Sequence, residues 1–419
     1  METVSAEEAL GRILGRVERL AAVEFGISEA LDHVLAEDVC ATIDLPPHDN
    51  SAMDGYALRS ADVSESQELA VVGEARAGSA LRGEVEPGTA MKIMTGAVIP
   101  RGADAVVQYE RVRNAAAPEA AERISIVGSV SPGDNIRRAG FDVRAGSLLM
   151  RRGQALGPSQ ITVLAALGRS TVRVFPRPHV AVLATGDELV EPGGTLQPSQ
   201  VFDSNSYALR ALVSRAGGDL SFSGTTRDSA PDLKLVLARE VESADLVVTA
   251  GGASGGAYDV VGRMADDRDW MLEPLSVRMK PGKPLVIGWL ATAGAKRRVP
   301  FIGLPGNPVA AMVAFELFAR PAIMKMRGFE DLEAPAVTAV AEEDFDNRGG
   351  RVSFVRVKIT EADGVYHASS VGVRRSSALS SLLGADGLAE VPAEDGGVRS
   401  GGTMRVRLID WSGAPCSRR

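Results

Sequence analysis

Leu10, Ile13, Leu14 and Val17 recur at three- and four-residue spacing near the start of the chain, which predicts an amphipathic helix. A second, short helix is expected after Ser28, a suitable N-cap, with Leu31, Val34 and Leu35 on its apolar face. From about 46 to 140 the rhythm changes. Short runs of Val, Ile and Met (AVV, MKIM, DAVVQ, RISIV) are cut at close intervals by Gly and Pro, as in an all-β module. Residues 143–175 read as a mixed connector with an apolar helix through 161–167.

Residues 178–327 alternate between the two periods. Apolar runs at 179–184, 219–224, 245–249, 284–288 and 300–303 are strand candidates, and helical patterns at 204–215, 232–241, 258–264 and 307–326 lie between or after them. Such alternation builds βαβ units and a mostly parallel sheet, in which ligands bind outside the carboxyl ends of the strands. The last part, about 335–411, returns to alternating strands (RVSFVRVKI, MRVRLID) and is expected to form a small β-barrel. The fold class is thus multidomain α/β and β. Its expected parts are 1–45 with 141–177 as a discontinuous helical and β domain, 46–140 as an inserted β module, 178–327 as the α/β domain and 328–411 as the barrel.

Composition narrows the function classes. Of 419 residues, 45% are hydrophobic and 24% charged, as in an ordinary globular protein. The net charge of -8 argues against a nucleic-acid binder, although a local lysine cluster can still serve a small anion. Cys40 and Cys416 offer neither metal spacing nor a disulfide framework, so a reducing compartment is the default. The first residues show no signal-peptide pattern, and the apolar stretch near Val309 is too short to span a bilayer. A cytoplasmic protein without membrane or nucleic-acid partners is expected. Four histidines leave little room for His-based catalysis.

Five loops carry candidate chemistry. HVAVLATGDEL ends an apolar run on Asp187 and Glu188, two carboxylates that could bind a hard cation or form an acidic helix N-cap. LVVTAGGASGGAYD has Gly251, Gly252, Gly255 and Gly256 within six positions, suited to an anion-binding nest or a plain turn, with Ser254 and Asp259 beside them. It matches neither a Walker-type loop nor GxGxxG. MKPGKP displays Lys280 and Lys283 on a stiff segment, either as fixed anion contacts or as surface lysines. LPGNP, with Pro305 and Asn307, opens a long apolar helix, either as a turn or to aim helix amides at an anion. PHDNSAMDGYA packs Asp49, Asn50, Ser51 and Asp54 into a polar turn that could cap backbone or hold a metal or substrate.

In this order the loops resemble the molybdopterin molybdenumtransferase family, which includes the E domain of gephyrin. The resemblance rests on DNSAMDGYA (49–57), IMTGA (93–97), NIRR (135–138), TGDEL (185–189), the glycine loop (251–259), KPGKP (280–284) and LPGNPV (304–309), spread over nearly the whole chain. It implies a four-domain elongated homodimer with the site at the dimer interface. The implied enzyme inserts molybdate into the dithiolene of adenylylated molybdopterin, requires Mg²⁺ and releases AMP. By the same resemblance Asp54, Asp187 and Glu188 are metal and catalytic carboxylates, and Thr95, Asp142 and Asp228 are further catalytic positions. Gly251, Gly252, Ser254, Asp259, Lys280, Lys283, Pro305, Asn307, Ser376 and Arg351 or Arg356 would contact the pterin, its phosphate or molybdate. The sequence departs from the family pattern at Ala257, where an acid is usual, and at Ala310, where a serine is frequent. Two alternatives stand beside this reading: the adenylyltransferase that precedes the step, itself a possible partner protein, and a non-catalytic dimeric scaffold.

Overall fold

A computed structural model describes residues 1–64, 67–78, 83–114, 122–252, 261, 270–291, 297–372, 378–394, 396–409 and 411. The chain divides into two compact units, Met1–Ala36 with Gly153–Gly157 and Thr171–Arg419, and Glu37–Arg152 with Pro158–Ser170.

The first unit is built on a seven-stranded sheet. Strand His179–Thr185 lies in parallel between Asp219–Thr226 and Leu246–Ala250, and the latter lies parallel to Val299–Leu304. The order then reverses: Pro284–Leu290 is antiparallel to Val299–Leu304, and Trp270–Val277 is antiparallel to Pro284–Leu290. Glu2–Val4 adds a parallel edge to Trp270–Val277. Neither Glu2–Val4 nor Trp270–Val277 was among the strands expected from the sequence.

Both faces of this sheet are covered, which explains why its central strands read as continuous apolar runs. On one face Val180, Val182, Val248 and Ile302 pack with Leu209 and Val213 of helix Asn205–Arg215 and with Phe315 and Phe318. On the other, Leu183, Val247 and Phe301 pack with Leu233 and Leu237 of helix Ala230–Glu240. Each such side chain, fully removed from water, contributes roughly 1.5–3 kcal/mol. The expected long helix over 307–326 is one continuous run with a π-helical stretch, Phe315–Ala319, between Pro308–Ala314 and Arg320–Met326. The helix expected at 258–264 falls, apart from Val261, outside the described residues.

The first helix is Ala6–Leu14, capped by the Ser5 hydroxyl. The second expected helix does not form. Val34 and Leu35 are instead a short strand paired with Val174 and Phe175, and Leu31 is exposed. Asp32, between them, has φ 64°, a left-handed conformation that ends any helical turn, and the β-branched Val34 suits a strand.

Towards the C-terminus, Val352–Ala362, Val365–Ser370, Ala336–Ala341, Thr403–Leu408 and Gly387–Val391 pair in turn, and the last pairs back to the first. The expected barrel is therefore closed and has five strands. A further short strand, Met279–Lys280, joins it by pairing in parallel with Val352 and Ser353.

The second unit contains a six-stranded sheet in which Gly55–Leu58 lies between Thr89–Ile93 and Ala105–Gln108, antiparallel to both. It also holds helix Pro158–Ala166, in the stretch where the sequence predicts one.

Candidate functional site

Register gathers most of the chemistry of the first unit at one sheet edge. Thr185 is opposite Thr226, Ala184 opposite Ala250, and Ala250 opposite Leu304, so four parallel strands end side by side. The residues that follow them are Asp187 and Glu188, Asp228, Gly251 and Gly252, and Pro305 to Asn307. Pro284–Leu290 runs the other way, with Val286 opposite Gly303, so it begins where the others end. Val277 N–H donates to the carbonyl of Lys283 at 2.7 Å, closing the turn that carries Lys280 and Lys283 at that edge. Both lysines are exposed.

The backbone there is tightly crossed. A Cβ on Gly251, whose φ is +98°, would lie 2.6 Å from the Thr185 carbonyl oxygen. Only glycine fits. Gly306 packs in turn against the Gly251 Cα, and Gly251 N–H donates to the Leu304 carbonyl at 3.2 Å. Asn205 Nδ2 donates to the Gly306 carbonyl at 2.7 Å and so ties the LPGNP turn to the start of a helix. The Asn307 side chain accepts from Ala310 N–H and caps the helix beginning at Pro308. Ala310 thus meets the cap through its backbone, and no hydroxyl is needed for that bond.

Three carboxylates crowd this edge. Asp187 and Glu188 are exposed, and the Glu188 carboxylate folds back over Gly186. Asp228 N–H donates to Asp187 Oδ1 at 3.3 Å. Partial burial raises the Asp228 pKa, and the negative charges of Glu188 and Asp187 raise it further. Among the described residues no group of three or more His, Cys, Asp or Glu side chains is placed to hold a metal ion. Mg²⁺ does not require one, since it commonly takes one or two carboxylates and fills its shell with water and substrate phosphate. Hard oxygens with mutual repulsion fit such a cation.

A cleft where the lysine turn meets the barrel is lined by Lys280, Pro281, Asp346, Ser353, Arg356 and Ser370, among others. Arg356 is buried, donates from Nε to Ser381 Oγ at 2.9 Å, and has its pKa lowered by desolvation. Arg351 is only half-buried and is held through its carbonyl, which accepts from Asn347 Nδ2 at 2.8 Å. Of the two arginines offered by the sequence, Arg356 is the one in the cleft. Ser254, Asp259 and Ser376, with Ala257, lie outside the described residues.

The second unit presents its own group. Asp54 Oδ1 accepts from both the backbone N–H and the hydroxyl of Thr95, at 2.7 and 2.8 Å. These two bonds lower its pKa, the backbone one most. Gly55 must be glycine, because a Cβ would come within 1.9 Å of the Val107 carbonyl oxygen. Asp49 and Ser51 of the same motif bond largely to local backbone. Asp49 accepts from Ala139 N–H at 2.8 Å and from Arg138 at 2.6 Å, and buried Ser51 donates to the Met53 carbonyl. Asp142 is exposed and anchored through its N–H to the Leu45 carbonyl.

Three models of known protein families match along the chain: the MoeA N-terminal region (domains I and II) over residues 4–168, the "Probable molybdopterin binding domain" over 181–325, and the MoeA C-terminal region (domain IV) over 338–409. The chain is 36% identical over 390 residues to molybdopterin molybdenumtransferase 2 of Mycobacterium tuberculosis, covering 91% of this chain and 93% of that one. It is 36% identical to the molybdopterin molybdenumtransferase of a Nostoc species, covering 89% and 85%. Among solved structures, the molybdopterin biosynthesis MoeA protein of Pyrococcus horikoshii matches with a TM-score of 0.81 and 31% identity over 98% of this chain and 100% of that one. The chain belongs to the molybdopterin molybdenumtransferase family.

Membership accounts for the multidomain architecture and sets aside the single-domain adenylyltransferase, since the matches extend on both sides of the α/β domain. Among the described residues no helix is long and apolar enough to cross a membrane. Two residues at these sites had not been singled out from the sequence of this molybdopterin molybdenumtransferase family member. Asn205 was readable only as the polar start of a helix. Tyr109, which follows strand Ala105–Gln108 and lies within reach of the Asp54 charge, had no local signal beyond an aromatic residue after a strand.

Proposed function

We propose that this protein inserts molybdate into the dithiolene of adenylylated molybdopterin, with cleavage of the phosphate bridge and release of AMP. The observation that carries this reading is the shared sheet edge. The same strand ends carry Asp187, Glu188 and Asp228, and the turn at that edge delivers Lys280 to a cleft containing the buried cation Arg356. A tetrahedral oxyanion such as molybdate suits Lys280 and the fork of Arg356. Gly252, half-buried beyond the strand that ends at Ala250, would offer its backbone N–H to a phosphate. Asp187 and Glu188 would hold Mg²⁺, which when bound supplies charge neutralisation at the bridging phosphate. No side chain need act as a covalent nucleophile. The residues bind, align and stabilise charge, as is common in phosphoryl chemistry.

Asp54 and Thr95 belong to this proposal as contributors to the same reaction, as does Asp142. A homodimer is also part of it. Mixing Asp54→Asn with Glu188→Gln reads out whether the two residues must reside in one chain: recovery of activity means they need not. The decisive assay incubates purified protein with adenylylated molybdopterin, molybdate and Mg²⁺, and follows AMP and the cofactor formed. Product at background under all metal concentrations overturns the reading. Copurification of an adenylyltransferase would identify the partner that supplies the substrate.

A further inference from the structure

Three partly exposed large side chains lie close to Asp54 and Thr95 in sequence or register. Met53 and Met94, the neighbours in sequence of Asp54 and Thr95, are 40% and 36% exposed, and Tyr109 is 38% exposed. Register places Tyr109 beside Asp54, because Gly55 is opposite Gln108 on the adjacent strand. Large apolar side chains this exposed around one carboxylate are unusual for a solvated acidic turn, and they are common where a ligand with a flat ring binds.

The Tyr109 ring is held in a fixed attitude. It meets Tyr56 edge to face, with centroids 5.4 Å apart and planes at 89°. Tyr56 is buried, and its hydroxyl donates to Glu122 at 2.9 Å, which in turn pairs with Lys92 at 2.9 Å. A chain of charge-assisted bonds therefore anchors the supporting ring, while Tyr109 remains accessible. Partial burial raises the Tyr109 pKa; Lys92 opposes this and the Asp54 charge adds to it, so Tyr109 and Asp54 are within electrostatic reach. The second oxygen of Asp54 accepts no hydrogen bond from the described residues, so it can face a ring-borne N–H group.

We propose that Tyr109, with Met53 and Met94, is the contact for a planar bicyclic heteroaromatic ring of the substrate. This rests on the proposed function, under which the substrate carries two such rings, an adenine and a pterin. An aromatic face tolerates either, and methionine adapts to both.

The test is calorimetric binding of AMP and, separately, of molybdopterin lacking the adenylyl group to wild type, Tyr109→Ala, Tyr109→Leu and Tyr109→Phe, with thermal melts beside each. Weakening of AMP binding by about tenfold in Tyr109→Ala and Tyr109→Leu, with Tyr109→Phe near wild type, identifies adenine. The same pattern with molybdopterin identifies the pterin. Tyr109→Leu keeps apolar bulk without a π face, so it carries the test should Tyr109→Ala fail to fold. Wild-type affinity of folded Tyr109→Leu for both probes overturns the proposal. Turnover separates the two readings: an active enzyme with an unaltered KM in Tyr109→Leu removes the ring contact alone. Ring-dependent binding without any turnover removes the insertion activity alone.

Discussion

The backbone N–H of Asp228 donates to Oδ1 of Asp187, at 3.3 Å, so two acidic residues just past the ends of adjacent parallel strands are fastened together despite their charge. Their repulsion is expressed in the raised pKa of Asp228, where burial contributes most and Glu188 and Asp187 add to it. A carboxyl held above its ordinary value keeps its proton more readily in the folded chain than in the unfolded one. Its contribution therefore favours folding below the ordinary carboxylate range and is lost as pH rises through the shifted value. Asp228→Asn is expected to stabilise the protein modestly at about pH 7, by less than about 1 kcal/mol, and to give no gain at about pH 3. Denaturant unfolding at the two pH values checks this; equal effects at both would remove the electrostatic explanation.

Glu188→Gln should leave the melting transition unchanged, since the side chain is exposed, and lower the rate of AMP release by about 10²-fold or more. The Mg²⁺ concentration for half-maximal rate should rise in the same variant. Activity within twofold of wild type would exclude Glu188 from the reaction.

Thr95→Val removes the hydroxyl bond to Asp54 and keeps the backbone one. The Asp54 pKa, held low mainly by the Thr95 N–H, should rise part of the way towards its ordinary value. A depressed carboxyl pKa favours folding above the ordinary range and loses that contribution as pH falls through the folded value. The acid limb of the activity profile should accordingly move to higher pH in Thr95→Val and return in Thr95→Ser. A profile that does not move would mean that Asp54 does not need to be ionised.

Arg356→Lys keeps the charge but not the fork. The molybdate concentration for half-maximal activity should rise by roughly tenfold, with a smaller change for the pterin substrate. An equal rise for both substrates would point to a collapsed cleft instead of a lost oxyanion contact.

Gly251→Ala should be destabilising by roughly 1–3 kcal/mol, because it combines a left-handed backbone with a Cβ pressed on the Thr185 carbonyl. Urea unfolding measures it. A neutral result would mean that the Thr185 and Gly251 segments can separate at little cost.

The strands of the first unit were legible because burial on two faces makes them continuous in apolar residues, as at His179–Thr185 and Leu246–Ala250. Trp270–Val277 was not, since Glu273, Pro274 and Ser276 interrupt the apolar run, even though its antiparallel partner Pro284–Leu290 follows closely in the chain. The helix expected after Ser28 was a matter of local spacing. Pairing with Val174 and Phe175, nearly 140 residues away, outweighed it. Asp187 and Lys280 could be marked as candidates from their loops. That Arg356 and not Arg351 lines the cleft depends on the barrel, since Arg356 lies within strand Val352–Ala362 and Arg351 just before it, and Tyr109 gains its meaning only from a neighbour across the sheet.

Met279 and Lys280 are hydrogen-bonded to the barrel, while Lys283, three residues on, accepts from the last residue of a strand in the α/β sheet. The lysine turn is thus clamped at both ends by regular ladders, and its length cannot drift by one residue without turning Lys280 to the opposite side. In an engineered relative, insertions should be refused between Val277 and Pro284, so that the barrel acts as the gauge that keeps the reach of a cation constant.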